Sequence, residues 1–301
     1  MRRLLVLVVS CLFAVACGVD DEPAAGAGRP AGGDQPVTRL RVGLIPNIAP
    51  DQQRARYAPF GEYLEQVLNV DVDLTVATNY AGTVTALEAD QLDIAYLGGL
   101  TYVQARQRTD VVPLVTEVDR ETGTTEYLSQ LIVRADSGID SLEDLAGRDV
   151  AFGDPGSTSG SLYPRLILDE AGYHCASLDR CDGLGRVLFT GGHDAAIQAV
   201  ANGQVSAAGV EGRILRRLQA EGKAPADLRI IAERRVQGYP WVAQRALPAS
   251  LRERIVEAFT TIDDPVLLDL LRAVRYERVT EADYAEIAKE ATRLGFLQVQ
   301  R

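Results

Sequence analysis

The stretch FGDPGSTSGSLYP, residues 152–164, is the segment that predicts most about this chain. A β-like run over residues 149–152 ends in a turn rich in glycine and hydroxyl side chains, and an amphipathic helical pattern follows at once. Ser157, Thr158 and Ser159 therefore fall at a helix start, where unpaired backbone N–H groups and the positive end of the helix dipole favour an anion. We expect an oxyanion such as phosphate to bind there; an ordinary Ser/Thr helix cap is the plainer alternative.

Pro164 agrees with a helix start in this stretch, because proline is tolerated in a first helical turn and not in a helix interior. Leu162, Leu166 and Ile167 follow at helical spacing and form one apolar face. The pattern therefore predicts that Pro164 lies in the first turn of an amphipathic helix.

Residues 1–17 are typical of a lipoprotein signal peptide. Two arginines precede an apolar run over residues 4–16, which is too short to span a bilayer. The run ends in Ala-Val-Ala-Cys, which resembles a lipobox, so we expect Cys17 to be acylated and to become the mature N-terminus. Cys11 has a similar context, but lipidation there would leave a very short apolar region.

Residues 18–36 are rich in Gly, Ala, Pro and Asp and contain almost nothing to bury, which predicts a flexible tether. The folded body is expected to begin near Val37, and the remaining ~265 residues are enough for a large core or two lobes. We therefore expect an exported protein that lipid anchors to the outer face of the cell membrane, at the cell surface or in the periplasm.

The formal net charge of −11 argues against a nucleic-acid partner, because phosphate backbones favour clustered Lys and Arg. It does not argue against a small anion, which neutral dipoles in a closed cleft can hold. The charge therefore limits the class of partner without excluding an anionic ligand.

Cys175 and Cys181 are the only cysteines of the predicted body. In an oxidising compartment, two cysteines six residues apart most simply form a local disulfide. A zinc site is the alternative, but the whole chain has just two histidines. We predict the disulfide, with a modest contribution to stability because its loop is short.

Apolar runs alternate with helical patterns along the body, which predicts α/β architecture with parallel sheets. The predicted strands are residues 40–45, 72–76, 94–97 and 111–115 in one set, and 131–133, 150–152, 187–189, 207–210 and 228–231 in a second. The predicted helices are residues 54–68, 81–89, 248–261, 264–274 and 280–294, with a short helix that opens at Ser141 and stops at Gly147.

Two segments 113 residues apart resemble each other. Residues 80–95 align with residues 193–208, and each predicts a loop, a helix, a tight turn and a buried strand. Tyr80 and His193 open the paired helices, so both rings would lie beyond the carboxyl ends of the strands, where open α/β sheets bind ligands. The repeat therefore predicts two similar lobes that share a cleft.

The expected architecture is a two-lobed clamshell with the ligand between the lobes. Lobe 1 would comprise residues 37–128 and 240–301, and lobe 2 would comprise residues 129–239. The chain would then cross between the lobes twice, near residues 127–132 and near residues 232–241, and the two crossings would form a hinge.

The chain resembles the phosphonate/phosphite/phosphate-type substrate-binding proteins of ABC importers. The matching segments are VGLIPN (42–47), ATNYAG (77–82), DIAYLG (93–98), GDPGSTSG (153–160) and GGHDA (191–195), which span nearly the whole body in order. The resemblance implies the two-lobed type II periplasmic-binding-protein fold, with Tyr80, Ser157, Thr158, Ser159 and His193 holding the ligand. It also implies that a small oxyanion and an ABC permease in the membrane are the partners. We expect a monomer with no cofactor or metal.

Departures from the family pattern bear on the substrate. Aminophosphonate binders of this family place acidic residues in the second half of the chain to hold the ligand ammonium, where this sequence has Arg213 and Tyr239. A guanidinium repels an ammonium, although Glu211 lies close by. Tyr96 and Leu97 offer one ring and an apolar wall. A small oxyanion with little or no organic tail is therefore expected: phosphite, phosphate or methylphosphonate.

An enzyme is the first alternative, with Ser157 or Ser159 as nucleophile and His193 with Asp194 as base and orienting acid. Adjacent residues rarely give the triad geometry, since the acid must hold the far side of the imidazole. The stretch also lacks the Gly-x-Ser-x-Gly elbow of a strand turn.

Two further alternatives concern binding. A transferrin-like ferric-ion carrier would use Tyr80, Tyr96, His193 and Glu211, but the adjacent tyrosine pair common to such carriers is absent. A lipoprotein that presents its ligand to a membrane kinase would act as a sensor. The sequence does not separate that role from import.

Overall fold

The computed structural model describes residues 37–175 and 178–297. The strands in these ranges are β1 (Arg39–Leu44), β2 (Asp71–Val76), β3 (Ile94–Tyr96), β4 (Val111–Asp119), β5 (Glu126–Arg134), β6 (Val150–Phe152), β7 (Val187–Phe189), β8 (Ala207–Glu211), β9 (Leu228–Gln237), β10 (Trp241–Gln244) and β11 (Ala273–Arg278). The helices are α1 (Pro50–Leu68), α2 (Tyr80–Glu88), α3 (Gly99–Arg106), α4 (Tyr163–Leu168), α5 (His193–Ala201), α6 (Gly212–Ala220), α7 (Ala249–Thr260), α8 (Pro265–Leu270) and α9 (Ala285–Arg293). None of these helices combines the length and apolar content needed to cross a membrane. The predicted signal peptide with Cys11 and Cys17, and the tether, lie outside the described residues.

The strands form two mixed sheets. Sheet 1 has the order β11-β4-β10-β3-β1-β2, in which β1 is parallel to β2 and β3 while β10 and β11 run antiparallel to their neighbours. Sheet 2 has the order β7-β6-β8-β5-β9, in which β6 is parallel to β7 and β8 while β5 is antiparallel to β8 and β9. The trio β3-β1-β2 thus matches β8-β6-β7. The predicted repeat is confirmed, because α2 leads into β3 and α5 leads into β8.

The described chain passes between the sheets twice, which gives the expected two-lobed fold. One crossing lies between Asp119 and Glu126, and the other lies between Gln237 and Trp241. Lobe 1 is built around sheet 1 and lobe 2 around sheet 2. Residues 126–128, which the sequence assigned to lobe 1, already pair with β9 of sheet 2. The apolar signal of β5 begins only at residue 131, so the polar start of the strand was missed.

The expectation of purely parallel sheets is wrong, because both sheets carry antiparallel strands. The helix predicted over residues 264–274 ends at Leu270, and β11 begins three residues later. Of the six residues of β11 only Ala273 and Tyr276 are fully buried, and their spacing of three imitates a helix. Arg272 between the two elements has φ 61°, a left-handed conformation that stops α8. α3, α6 and β10 were not predicted.

Trp241 anchors the second crossing, between β9 and β10, in the core of lobe 1. It is fully buried, and the rings of Tyr57, Phe60, Tyr96 and Phe259 surround it at centroid distances of 4.9–6.4 Å. Aromatic packing of this kind stabilises β10, which lies between β3 and β4. This aromatic packing therefore fixes the position at which the second crossing joins sheet 1.

Cys175 and Cys181 form the predicted disulfide. Both are 1% exposed and pack in the core of lobe 2 with Val150 and Phe152. The bond therefore joins Cys175, which follows α4, to Cys181, which precedes β7.

Candidate anion-binding site

Ser157 caps the helical segment that follows β6. Its Oγ accepts a hydrogen bond from the Gly160 N–H at 3.0 Å, and its own N–H donates to the Asp154 carbonyl at 2.8 Å. The next five residues, Thr158–Leu162, form one π turn, in which the Leu162 N–H donates to the Ser157 carbonyl at 3.0 Å. α4 continues from this turn. The predicted helix start is therefore confirmed, with a wider first turn than expected. We call residues 157–162 the Ser157 turn.

Pro164 lies in the first turn of α4 as predicted, but the π turn precedes that helix. Proline has no N–H to donate to a carbonyl one turn earlier. The carbonyls of Ser159 and Gly160 instead accept from the Ser129 hydroxyl and the Gly153 N–H, each at 2.9 Å. These two hydrogen bonds attach the Ser157 turn to β5 and to the end of β6.

The Ser157 turn presents buried donors where the lobes meet. Ser157, Thr158 and Ser159 are each at most 2% exposed. Thr158 Oγ1 accepts a hydrogen bond from the Leu100 N–H of lobe 1 at 2.9 Å, which leaves its own hydrogen to donate. Ser159 Oγ makes no hydrogen bond of good geometry within the described residues. The first N–H groups of a helix also lack intrahelical acceptors, so this turn can surround an oxyanion with neutral donors.

Tyr80 and His193 begin α2 and α5, as the repeat predicts, and both are 1% exposed. Each helix start contacts the opposite lobe. The Tyr80 N–H donates to Asp154 Oδ2 at 3.3 Å, and the His193 N–H donates to the Asn47 carbonyl at 3.1 Å. The Tyr80 hydroxyl lies within hydrogen-bonding reach of the Ser157 side chain. The paired helix starts therefore meet at one place, with the lobes in contact.

Gly160 allows the Ser157 turn to approach the imidazole of His193. A Cβ atom on Gly160 would lie 2.8 Å from His193 Cε1 and 2.9 Å from Ser157 Oγ, closer than carbon atoms pack. Only glycine leaves this space. The ring of His193 therefore packs directly against the Ser157 turn, next to the hydroxyl and N–H donors of that turn.

His193 is a neutral donor through Nε2. Its Nδ1 accepts a hydrogen bond from the Glu211 N–H at 3.2 Å, so the proton of the neutral ring is on Nε2. Burial lowers the pKa of His193 to about 4, which keeps the ring uncharged at neutral pH. Nε2 is buried and has no hydrogen-bond partner within the described residues. A buried, unpaired N–H of this kind is suited to an anionic oxygen.

Two further polar side chains join this region and were not predicted. Tyr127 of β5 is 1% exposed, and its hydroxyl lies close to the Ser159 side chain. Asn47 is 1% exposed, and its Nδ2 has no partner within the described residues. The family resemblance contained a signal for Asn47, because this residue ends the matching segment VGLIPN over residues 42–47. Tyr127 carried no comparable signal.

A second group of buried polar residues, which we call the bridging cluster, joins the lobes through charge. Lobe 1 contributes Glu117, Asp119 and Arg272, lobe 2 contributes Glu211 and Arg213, and the second crossing contributes Tyr239. Glu211, Arg213 and Tyr239 were predicted as ligand-site residues, and the structure does bring them together. Glu117, Asp119 and Arg272 were not predicted.

Glu211 is the centre of the bridging cluster. Its Oε1 accepts from Arg213 Nε at 2.6 Å and from Arg272 Nη1 at 3.1 Å, and its Oε2 accepts from the Tyr239 hydroxyl at 2.9 Å. Arg213 Nη1 in turn donates to Glu117 Oε1 across the lobes at 2.8 Å. Both carboxylate oxygens of Glu211 are therefore already bound by donors of the protein.

The bridging cluster keeps Glu211 and Arg213 ionised. Burial would raise the pKa of Glu211, but the charges of Arg213 and Arg272 outweigh it and lower the pKa to about 2. Burial would likewise lower the pKa of Arg213, yet Glu211 and Glu117 raise it well above its ordinary value. The charges therefore balance one another inside the protein rather than facing solvent.

Tyr96 and Leu97 support the second crossing. The ring of Tyr96 stacks on Tyr239 with centroids 5.1 Å apart, and its hydroxyl donates to Glu117 Oε1 at 3.4 Å. The side chain of Leu97 is fully buried in the core of lobe 1, and its N–H donates to the Pro240 carbonyl at 3.1 Å. The Tyr96 hydroxyl therefore belongs to the bridging cluster rather than to the Ser157 turn.

The geometry does not favour a catalytic triad. The Asp194 carboxylate accepts from the Ala49 N–H at 3.1 Å, and His193 Nδ1 is itself an acceptor from the Glu211 N–H. A triad needs Nδ1 to donate to the acid, so these residues cannot act as base and orienting acid.

Two of the four residues considered for a ferric ion, Tyr96 and Glu211, serve other partners. Tyr96 donates to Glu117, and the oxygens of Glu211 are bound to Arg213, Arg272 and Tyr239. Among residues 37–175 and 178–297, no group of three or more His, Cys, Asp and Glu side chains is arranged to hold a metal ion.

Known proteins resemble this chain over most of its length. The family model described as "ABC transporter, phosphonate, periplasmic substrate-binding protein" matches residues 42–287. The phosphate-import protein PhnD of Mycolicibacterium smegmatis is 33% identical over 199 residues, which cover 65% of this chain and 60% of that protein. The match thus spans less than two thirds of that relative. A probable ABC transporter phosphite binding protein, PhnD1, of Prochlorococcus marinus is 31% identical over 237 residues, 77% of either chain.

The fold agrees with a solved structure of the same kind. PhnD1 from Prochlorococcus marinus in complex with methylphosphonate superimposes with a TM-score of 0.77 at 25% sequence identity, covering 86% of this chain and 99% of that one. The two-lobed architecture is therefore that of a protein whose structure holds a phosphonate.

Proposed function

Because the chain belongs to the family of periplasmic substrate-binding proteins of phosphonate ABC transporters, we propose that it captures a small phosphorus oxyanion and delivers it to an ABC permease. The family is one of extracytoplasmic transport proteins, not of enzymes. The relatives named for phosphate and phosphite, and the solved structure with methylphosphonate, support the same class of ligand.

The observation that carries the proposal is a set of buried neutral donors where the lobes meet. We assign the oxyanion to the Ser157 turn, with Ser157, Thr158 and Ser159 donating from lobe 2. His193 donates through Nε2, and Tyr80 donates from lobe 1. Ser159 Oγ and His193 Nε2 are buried without partners within the described residues, and each such donor costs about 1–3 kcal/mol unless an acceptor binds it. An oxyanion supplies several acceptors at once.

The bridging cluster supports a ligand with little or no organic tail. An ammonium group entering beside Glu211 would have to displace Arg213, Arg272 or Tyr239 from an oxygen it already binds. It would also lie near two guanidinium groups, which repel it. Phosphite, phosphate and methylphosphonate place no cation there. We therefore assign Glu211, Arg213 and Tyr239 to substrate discrimination rather than to holding an amine.

Calorimetric titration of the protein with phosphite, phosphate, methylphosphonate and 2-aminoethylphosphonate tests the proposal. At least one of the first three should bind at least tenfold more tightly than the aminoethyl compound, a difference of about 1.4 kcal/mol. Failure to bind any of the four would contradict the proposed function. Tight binding of the aminoethyl compound that is lost in Glu211→Gln would instead make Glu211 the partner of the amine.

We propose that the protein is a monomer whose two crossings act as a hinge. The lobes would be those expected from the sequence, with the first boundary moved from residue 128 to a point before Glu126, since residues 126–128 pair with β9. The bending would be confined to the segments between β4 and β5 and between β9 and β10. Small-angle scattering measures both mass and radius. The mass should be that of one chain, and the radius should decrease when methylphosphonate is added. An unchanged radius at saturation would contradict the hinge.

We also propose that lipid on Cys17 anchors the protein outside the cytoplasm. Cys17→Ala should move the protein from the membrane fraction to the soluble fraction, whereas Cys11→Ala should leave it with the membrane. The reverse pattern would assign the lipid to Cys11.

A further inference from the structure

A cavity of about 500 Å³ lies between the lobes beside the bridging cluster. Six arginines line it: Arg56, Arg120, Arg213, Arg216, Arg217 and Arg272. Three carboxylates line it as well, those of Asp119, Glu121 and Asp269. Glu117 and Glu211 behind the lining pair with Arg213 and Arg272, so the lining arginines without a close carboxylate within the described residues are Arg56 and Arg217. Binding sites for small molecules are usually about 300–1,000 Å³. The cavity therefore has the volume of a ligand site, and Arg56 and Arg217 supply the positive charge in its lining that no close carboxylate matches.

Several guanidinium nitrogens around this cavity have no acceptor. Arg213 is 7% exposed, and its Nη2 makes no hydrogen bond within the described residues. Nε of Arg217 and Nε of Arg272 are likewise buried and unbonded there, and the side chain of Arg272 is 10% exposed. Buried donors without acceptors are unfavourable, most of all on charged groups. The arginines thus retain hydrogen-bonding capacity that the bridging cluster does not use.

The positive charges of Arg217 and Arg56 are only weakly compensated. Burial, together with the charges of Arg272 and Arg56, lowers the pKa of Arg217 to about 10. Its nearest carboxylate, Glu221, is 3.8 Å away and partly exposed. Arg56 donates to the carbonyls of Asp269 and Leu270 at the end of α8 rather than to a carboxylate. An anion in the cavity would relieve the repulsion among these arginines.

Both lobes contribute to the cavity. Arg56 of α1 and Arg272 belong to lobe 1, whereas Arg213 and Arg217 of α6 belong to lobe 2. A ligand that contacts both pairs binds only when the lobes are together. Glu211 connects this cavity to the anion site, because its N–H donates to His193 while its carboxylate binds Arg213 and Arg272.

We propose that this cavity is a second anion site, which takes a small polyanion with two or more phosphate or carboxylate groups and stabilises the closed arrangement of the lobes. A single small oxyanion satisfies one pair of arginines, whereas two linked anionic groups reach the arginines of both lobes. The donors of the second site are charged guanidinium groups, whereas the donors of the Ser157 turn are neutral. Its existence does not depend on the function proposed above.

Titration calorimetry on the full chain, with methylphosphonate in excess so that the Ser157 turn is saturated, tests the second site. Pyrophosphate and citrate are the probes, since they carry linked phosphate and linked carboxylate groups. Arg217→Met and Arg56→Met each remove one charge while keeping an unbranched side chain of similar reach. We expect pyrophosphate, citrate or both to bind the parent, each variant to bind at least tenfold more weakly, and the exposed control Arg39→Met to bind as the parent does.

Three outcomes would overturn the proposal. The first is no binding of either probe to the parent at millimolar concentration. The second is binding that the double variant Arg56→Met/Arg217→Met retains while its thermal unfolding remains cooperative. The third is pyrophosphate binding that vanishes whenever methylphosphonate is in excess, which would place it in the Ser157 turn. Titration of methylphosphonate alone tests the proposed function separately.

Discussion

The Ser157 turn and the bridging cluster both join the lobes, but they handle charge in opposite ways. The Ser157 turn collects neutral donors, namely hydroxyls, main-chain N–H groups and the Nε2–H of His193. Within the described residues, Ser159 Oγ and His193 Nε2 have no partner. The bridging cluster collects ionised groups and pairs them with one another, so that Glu211 has no free oxygen. Neutral donors can bind an anion and release it without a large change in charge, whereas paired ions mainly fasten the structure. The difference supports the proposed division, in which the Ser157 turn captures the ligand and the bridging cluster attaches the lobes.

The largest effect should come from breaking the bridging cluster. Arg213→Met leaves Glu211 and Glu117 without their main buried partner, and removal of one member of a buried ion pair costs about 3–5 kcal/mol. The free energy of unfolding, measured with urea, should fall by that amount. The control Arg275→Met removes the exposed pair with Glu277 and should cost at most about 1 kcal/mol. A loss below about 1 kcal/mol in Arg213→Met would mean that the cluster does not stabilise the fold.

The dependence of stability on pH distinguishes the two regions. His193 has a pKa of about 4 in the folded protein and an ordinary value of 6.5, so protonation favours unfolding. Its contribution, about 3 kcal/mol, is present above pH 6.5 and is lost as the pH falls to about 4. The contribution of Glu211 is lost separately, between pH 4.5 and about 2. Urea unfolding across this range should show the first loss in the parent and not in His193→Gln; the same loss in both would contradict the assignment.

Removing one donor from the Ser157 turn should affect binding more than stability. Ser159→Ala should weaken oxyanion binding by about 1.5–3 kcal/mol, the range for hydrogen bonds to charged partners. Its free energy of unfolding without ligand should not fall, because the substitution removes a buried hydroxyl that makes no hydrogen bond within the described residues. Ser157→Ala should weaken binding similarly and also lose a helix cap worth about 1 kcal/mol. The exposed Ser250→Ala is the matched control, and parental affinity in both turn variants would place the ligand elsewhere.

The smallest expected effect is that of salt. Neutral donors in a closed cleft are weakly screened, so the affinity for methylphosphonate should change by less than about twofold between low and physiological ionic strength. Calorimetry at two salt concentrations measures it. A much larger loss would point to exposed arginines as the true site and would remove the contrast between the two regions.

The sequence predicts the Ser157 turn well because its signals are local or repeated. Ser157 caps its helix within a few residues, and the repeat places Tyr80 and His193 at matching helix starts. The two-lobed fold follows from the same alternation of strands and helices. These features depend on neighbours along the chain or on a comparison of two segments.

The bridging cluster could not be predicted in the same way. Arg213 pairs with Glu117, 96 positions away, and Arg272 pairs with Glu211, 61 positions away. A single charged residue in a strand or loop gives no sign of such a partner, so it resembles an ordinary surface residue. Arg272 was harder still to predict as a buried residue. The segment around it has the apolar spacing of a helix, although it leads into β11.

The hydrogen bond from the His193 N–H to the Asn47 carbonyl bears on how long a ligand stays bound. Beside it the Ala49 N–H donates to Asp194 Oδ2, so two bonds between the lobes close the same edge of the cleft. A ligand enclosed in this way leaves only after the lobes separate, and its dissociation cannot be faster than that opening. The residence time is then governed by contacts of the protein with itself as well as by contacts with the oxyanion. A permease that pulls the lobes apart would release the ligand without having to compete for it.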